Sequence, residues 1–297
     1  MGPCLPGSCY HKDGSPLEPP GLYWPDCAAS PTPVLPDMTL PLHAANFLPD
    51  TASWAFFFDL DGTLAPLAQR PDLARVPEAT IHQLAGLQQA AGGALAVISG
   101  RPLDALDTLL QPLVLPLGAE HGAIVRHADG RIDPAAGAAA ADAAAAGTAP
   151  VVQALSDYLA DQLGEQSGIL LERKAFGLAV HYRLAPHAAD TVLRMMESAM
   201  ARFPQFELLP GKMVVEAKLP GVDKGRALLR LMRESPFTGR KPLMVGDDVT
   251  DETAFRQANT LGGGSIKIGA GDTCAALRLD EQQALSGWLD ALLRSPR

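Results

Sequence analysis

From Trp54 onward, short unbroken apolar runs alternate with stretches in which apolar residues recur every three or four positions. "WAFFF" is followed by "PEATIHQLAGLQQAAGG" and then by "ALAVISG". The middle piece has Pro77 at its entrance, Ile81, Leu84 and Leu87 on one face, and Gly92 and Gly93 as its stop. Those are the marks of an amphipathic helix. Strand, helix, strand with continuously apolar strands predicts a parallel sheet with crossover helices. The unit returns after residue 222, where "DKGRALLRLM" and "DETAFRQA" read as helices and "PLMV" and "SIKIG" as strands.

Between these halves the texture changes. "PAAGAAAADAAAAGTAP" (134–150) is an Ala-rich, Gly-interrupted segment, expected to be a loop or linker. Then come a helix ("VVQALSDYLADQL"), two alternating strands ("ILLERK", "GLAVHYR"), a second helix ("ADTVLRMMESAMARF") and two more strands ("FELL", "KMVVEAK"). The expected organisation is a Rossmann-like α/β core over 51–127 and 219–297, with a smaller αββαββ domain inserted at 128–218. Residues 1–50 are Pro-rich without periodicity, too poor in buriable surface to offset their ordering entropy. Three readings of them stay open: a flexible tail, an upstream stretch from an early start codon, or a partner-binding segment using Tyr23 and Trp24.

Composition narrows the function. The 297 residues are 47% hydrophobic and 19% charged with a net charge of −9, and the pI is near 5.2. That balance excludes a broad basic surface for nucleic acid. No apolar run approaches the ~18 residues of a membrane span, and the start lacks the basic and apolar regions of a signal peptide. Four Cys, three of them within the first 27 residues, show no metal spacing. A reduced cytoplasmic protein, with neither membrane nor nucleic acid as partner, is the expectation. An acidic protein that handles an anion must gather its positive charge locally.

Each chemically suggestive group follows a buried strand. Asp59 and Asp61 follow "AFFF", Ser99-Gly100-Arg101 follows "LAVI", and "GDDVTDE" (246–252) follows "PLMV". In an open parallel sheet, ligands bind outside the carboxyl ends of the strands. Carboxylates gathered there need a cation, and an oxygen donor set without His or Cys points to Mg²⁺ in preference to Zn²⁺. Asp59 at the strand end suits a nucleophile, since a carboxylate can be phosphorylated on oxygen. Asp61 could protonate the leaving oxygen and then activate water. Ser99 and the amides after it could hold phosphate oxygens, with Lys224 and its helix N-terminus adding positive charge. Taken singly, each residue also has an ordinary explanation as a turn, cap or solvated residue.

Taken in order, "FFFDLDGTLAPL", "AVISGRPLDALD", "LERKAFGLAVHYR", "GKMVVEAKLPGVDKGRAL" and "LMVGDDVTDETAF" resemble the haloacid-dehalogenase-like phosphatases, and within them the trehalose-6-phosphate phosphatases. The resemblance covers about 54–292. It implies a Mg²⁺-dependent hydrolysis of trehalose 6-phosphate to trehalose and phosphate, through an aspartyl-phosphate on Asp59, with Asp61 as acid and base. It also implies metal ligation by Asp59, the Asp61 carbonyl and Asp247, with Asp248 and Asp251 adjacent. Ser99 and Lys224 match phosphate-stabilising positions, with Gly100 and Arg101 beside them. From "GAEHGA" (118–123) only His121 is carried over, as a substrate contact. A trehalose-6-phosphate synthase would supply the substrate, a functional link; no feature of the sequence shows a physical contact.

Strand alternation supports a sugar site on the inserted sheet. One face would carry Glu172, Lys174, Arg183, Lys212, Glu216 and Lys218, and the other the apolar residues that take the helices. Mixed charge suits sugar hydroxyls, which both donate and accept; a solvated outer face is the plain alternative. The resemblance matches Glu172, Lys174, Arg183, Lys212 and Glu216 to sugar-contacting positions. Closing this sheet over the crevice would exclude water and assemble the site around the right substrate. Rival readings are a sucrose-phosphate phosphatase, a phosphosugar mutase or a non-catalytic sugar-phosphate sensor.

Overall fold

The computed structural model describes residues 42–134, 141–164 and 168–295. In chain order the strands of the larger sheet begin with β1 (Leu42–His43), β2 (Trp54–Phe58), β3 (Leu95–Ile98), β4 (Leu117–Ala119), β5 (Ile124–Arg126) and β6 (Ile132–Pro134). Helices α1 (Glu78–Ala90) and α2 (Leu103–Leu110) lie between them in sequence. A smaller layer comes next, made of α3 (Ala141–Leu163), β7 (Leu170–Arg173), β8 (Gly177–His181), α4 (Ala189–Arg202), β9 (Glu207–Gly211) and β10 (Val214–Lys218). The chain then returns through α5 (Lys224–Met232), β11 (Lys241–Gly246), α6 (Glu252–Thr260), β12 (Gly264–Ile268), β13 (Leu277–Leu279) and α7 (Ala284–Arg294).

Among the described residues, the nine strands of the large sheet run β1-β13-β12-β11-β2-β3-β4-β5-β6. Pairing is parallel from β1 to β4 and antiparallel at β4–β5 and β5–β6. The apolar strands are continuous because both faces are covered: Phe56, Phe57, Phe58, Leu95, Val97, Leu243 and Val245 are fully buried. Strand order reverses between β2 and β11, the place where such sheets open a crevice at their carboxyl ends. There Phe58 pairs with Val245, and Asp59 N–H donates to the Val245 carbonyl at 2.9 Å. The residues after each strand, Asp59 and Asp247, are therefore neighbours although 188 positions apart in the chain (247 minus 59).

The smaller sheet is antiparallel, in the order β7-β8-β10-β9. Leu178, Val180, Val215 and Ala217 on one face bury against Leu155 and Leu159 of α3 and Val192 and Met196 of α4. The pairing Glu172–Ala179–Glu216 runs across the opposite face. Small residues Gly177 and Ala179 leave its middle low, with charged side chains around it. A Cβ at Gly177 would meet the Ala217 carbonyl oxygen at 2.4 Å, so this hollow needs glycine.

Three expectations differ from the structure. The Ala-rich segment is helical from Ala141, because alanine has the highest helix propensity and Val152, Leu155 and Leu159 give the helix a buried stripe. The expected boundary at 128 falls within the hairpin whose second strand, Ile132–Pro134, pairs with β5 and extends the large sheet. Residues 42–50, expected to be tail, join the core: β1 pairs with β13, Ala44 is fully buried, and Trp288 Nε1–H donates to the Phe47 carbonyl at 2.9 Å. Tyr23 and Trp24 lie outside the described residues.

Candidate functional site

Asp59 is buried at the end of β2 and its Oδ1 accepts from Lys224 Nζ at 2.7 Å. Lys224, the first residue of α5, also donates to Asp251 Oδ1 at 2.7 Å. Burial pushes the Asp59 carboxyl well above the usual range, with the Lys224 ammonium opposing and Asp251 and Asp247 adding to the rise. Burial works against a charged Lys224 too, yet Asp251 and Asp59 outweigh it and raise its pKa. Asp251 is fully buried; its second oxygen accepts the Asp247 N–H at 3.0 Å and the Asp248 N–H at 2.9 Å. It therefore shapes the loop after β11 and holds Lys224.

Carboxylate oxygens of Asp59, Asp247 and Asp251 lie within 4.8 Å of one another, all buried. This all-oxygen donor set fits a hard divalent cation. Burial raises the Asp247 carboxyl while Lys212 opposes it. Lys212 Nζ, from the turn after β9, contacts the Asp247 carboxylate and donates to its carbonyl at 2.9 Å, where Lys267 Nζ also donates at 2.7 Å. Gly62 permits the approach of the two loops: its φ is 86°, and a Cβ there would lie 2.3 Å from Asp247 Oδ2. Asp248 is spent largely as a cap, its Oδ1 accepting the Val249 N–H at 2.7 Å.

Asp61 points into the cleft and is gripped by Arg101, whose Nε and Nη2 donate to its two oxygens at 2.7 Å each. Arg101, expected at the phosphate, is turned toward Asp61 because a planar guanidinium matches a carboxylate in this forked geometry. Ser99 is buried beside it, its Oγ accepting the Arg101 N–H at 3.3 Å.

The polar face of the small sheet forms the other wall. Asp59, Asp61, Ser99, Gly100, Arg101, His121, Glu172, Lys174, Arg183, Lys212, Glu216, Lys224, Asp247 and Asp248 line one cleft. Lys174 pairs with Glu216, and His121 Nε2 lies 3.2 Å from the same carboxylate. Burial works against the Glu216 charge, but Lys174 and His121 hold its carboxyl well below the usual range. His121 is itself pushed down by burial, and its Nδ1 has no hydrogen-bond partner among the described residues. Arg183 donates to the Ala68 carbonyl and the Lys212 carbonyl, both at 3.0 Å. Lys218, expected on this wall, turns away to pair with Glu207 and donates to the Val222 carbonyl at 2.7 Å.

Four residues of the site were not singled out by sequence. His181 lines the cleft and holds Glu172 with its Nε2 at 2.7 Å from Oε2; alternation along β8 puts it on the same face as Ala179. Burial opposes the Glu172 charge, but its hydrogen bond to His181 and the nearby Lys174 ammonium outweigh it, lowering its pKa. Thr63 Oγ1 reaches Asp247 Oδ1 at 3.5 Å. Lys267 sits in an apolar strand pattern and Glu120 in a short loop, and neither spacing carries a local signal.

The family model for trehalose-phosphatase matches residues 57–282. The chain is 39% identical over 259 residues to the trehalose-6-phosphate phosphatase of Escherichia coli (strain K12), covering 86% of this chain and 91% of that protein. It is 40% identical over 221 residues to a probable trehalose-phosphate phosphatase of Sinorhizobium fredii, covering 74% and 79%. The fold is similar to that of the C. albicans trehalose-6-phosphate phosphatase C-terminal domain, with a TM-score of 0.72 at 22% identity over 85% of this chain and 98% of that one.

Proposed function

The chain belongs to the trehalose-phosphatase family, and on that premise we propose that it is a Mg²⁺-dependent enzyme hydrolysing trehalose 6-phosphate to trehalose and phosphate through a phosphorylated Asp59. The observation that carries this reading is the facing of two walls in one cleft. Asp59 and Lys224 lie on one wall, and Glu172, Lys174 and Glu216 on the other.

Asp59 Oδ1 is held by Lys224, which leaves Oδ2 to attack phosphorus in line with the sugar oxygen. As the P–O bond to the sugar breaks, Asp61 gives that oxygen a proton. Asp61, now a carboxylate, takes a proton from water, and the hydroxide that forms attacks phosphorus. Phosphate leaves and Asp59 is regenerated. Arg101 occupies both Asp61 oxygens, so their pairing must open before Asp61 can reach the leaving oxygen. Lys224 and the Ser99 loop stabilise charge on the transferring group. Asp59, Asp247 and the Asp61 carbonyl would hold the Mg²⁺, which would neutralise charge on the phosphoryl oxygens when bound. A cytoplasmic setting belongs to the same proposal, as does an upstream synthase that transfers a glucosyl group from an activated donor to glucose 6-phosphate, releasing the donor's leaving group.

The test is phosphate release across a panel of sugar phosphates, with Mg²⁺ and with EDTA. Trehalose 6-phosphate should be the preferred substrate, with turnover lost on chelation and restored by Mg²⁺. Interconversion of isomers without net phosphate would make the chain a mutase; tight binding without turnover would make it a sensor. Full activity in EDTA after dialysis would overturn the metal's part.

A further inference from the structure

We propose that Glu120 is a positioning residue for sugar recognition, fixing the turn of the β7–β8 hairpin from the core and thereby aiming Lys174 at Glu216 and the substrate. The proposal rests on reading the small sheet as the sugar-binding wall.

Glu120 comes directly after β4 and is only 5% exposed. Its Oε1 accepts the Ala175 N–H and its Oε2 the Phe176 N–H, each at 2.8 Å. Both oxygens of a buried core carboxylate are thus spent on the hairpin turn of the other sheet. Packing alone would be better served by an apolar side chain, which has no charge to desolvate. Burial does push the Glu120 carboxyl up, with the two amides pulling it back.

The backbone carries a second mark. Glu120 has a φ of 48° and His121 of 59°, the left-handed region that side chains other than glycine seldom adopt. Such conformations persist where the surroundings over-determine them, and they cluster at functional sites. Here the Glu120 N–H donates to the Arg101 carbonyl at 3.0 Å and the His121 N–H to the Ser99 carbonyl at 2.9 Å. One strained dipeptide is therefore tied by its backbone to the Ser99–Arg101 loop and by both side chains to the small sheet. His121 packs on Gly100, where a Cβ would lie 2.5 Å from Nε2, and faces Glu216 at 3.2 Å.

On the far side of the contact, Lys174 immediately precedes Ala175. Its N–H closes the hairpin turn on the Gly177 carbonyl at 2.9 Å, and its ammonium pairs with Glu216. Phe176 is buried against Ala123 and Val222, so the turn is seated on the core by one side chain and two amides. A lysine ammonium on a flexible stem is aimed by its Cα. Loosening this turn would let the Lys174–Glu216 pair drift relative to Asp59 without touching the reacting atoms.

The experiment compares kcat/KM for trehalose 6-phosphate with that for a small aryl phosphate in wild type, Glu120→Gln, Glu120→Ala, Lys174→Met and the Glu120→Gln/Lys174→Met double variant. The glutamine keeps the volume but turns an NH2 toward a backbone N–H, and it carries the test should the alanine variant fail to fold. We expect the ratio to fall by about tenfold or more in Glu120→Gln, the scale of one lost charged hydrogen bond, with little further loss when Lys174 is already methionine. Hydrogen exchange at the Ala175 and Phe176 amides should speed up in Glu120→Gln with no substrate present. An unchanged ratio, equal losses on both substrates, additive losses in the double variant or unchanged exchange would each overturn the proposal. A wild type that leaves trehalose 6-phosphate untouched overturns the proposed function instead, and the ratio is then taken with the sugar phosphate it hydrolyses best.

Discussion

Asp59 shows what one buried side chain can cost and supply. Its carboxyl is raised above the ordinary carboxylate range, first by burial, with Lys224 opposing and Asp251 and Asp247 adding like charge. A carboxyl whose folded pKa is raised stabilises fully below its unfolded pKa of about 3.9, and that contribution is lost as pH climbs through the folded value. In the absence of metal, Asp59→Asn should therefore gain stability relative to wild type as pH rises from about 4 toward 7. Thermal unfolding of both proteins in chelator would measure this, and a difference that shrinks with rising pH would contradict it. Turnover should fall by about 10⁴-fold or more, because the proposed nucleophile is gone while the volume stays. Acid quenching should trap phosphate on Asp59 in the wild type, and phosphate on any other residue would refute the assignment.

At the scale of elements, the turns after β2 and β11 matter more than the strands themselves. The strands bring the two chain ends together, but Gly62 sets how closely Asp59 and Asp247 approach. Gly62→Ala must move either its own turn, strained at a φ of 86°, or the Asp247 carboxylate 2.3 Å from the new Cβ. A displacement on the order of 1 Å in a site of this kind costs about 10²-fold in rate. We expect a loss of that order in kcat, with weaker metal affinity by calorimetry. Wild-type metal affinity in Gly62→Ala would mean that the loops are free to separate. Helix α3 shows the opposite balance: its alanines favour a helix anywhere, and only the stripe of Val152, Leu155, Leu159 and Leu163 seats it on the small sheet.

For the molecule as a whole, we assign specificity and chemistry to different sheets, which face each other across the cleft and are joined by the Glu120 contact with Ala175 and Phe176. Removing Glu172 or Glu216 leaves the Asp59 wall intact while unpairing polar groups on the sugar or on Lys174 and His181. Each alanine substitution should cost roughly 1–3 kcal/mol in transition-state binding of trehalose 6-phosphate. Binding energy from the remote sugar helps place the phosphate, so kcat should fall as well as affinity. A small aryl phosphate cannot reach this wall and should be affected far less. The ratio of the two substrates, variant against wild type, reads this directly; an unchanged ratio in both variants would make the face ordinary solvated surface.

Local pattern alone determined the parallel strands β2, β3, β11 and β12, the αββαββ order of the smaller layer and the segments that meet at the cleft. It could do so because strands covered on both sides must be continuously apolar, half-covered strands must alternate, and a parallel sheet delivers the residues after its strands to one edge. The short pieces β1, β4, β5, β6 and β13 were not legible, since two or three residues hold too little periodicity to separate strand from loop. Nor was the start of α3, where alanine repeats suit helix and linker alike. Only tertiary structure decided which carboxylate meets which donor: Asp61 with Arg101, Asp247 with Lys212, Asp251 with Lys224, Glu120 with the amides of Ala175 and Phe176. Those choices depend on distances and desolvation between segments far apart in the chain, quantities that residue type and spacing do not carry.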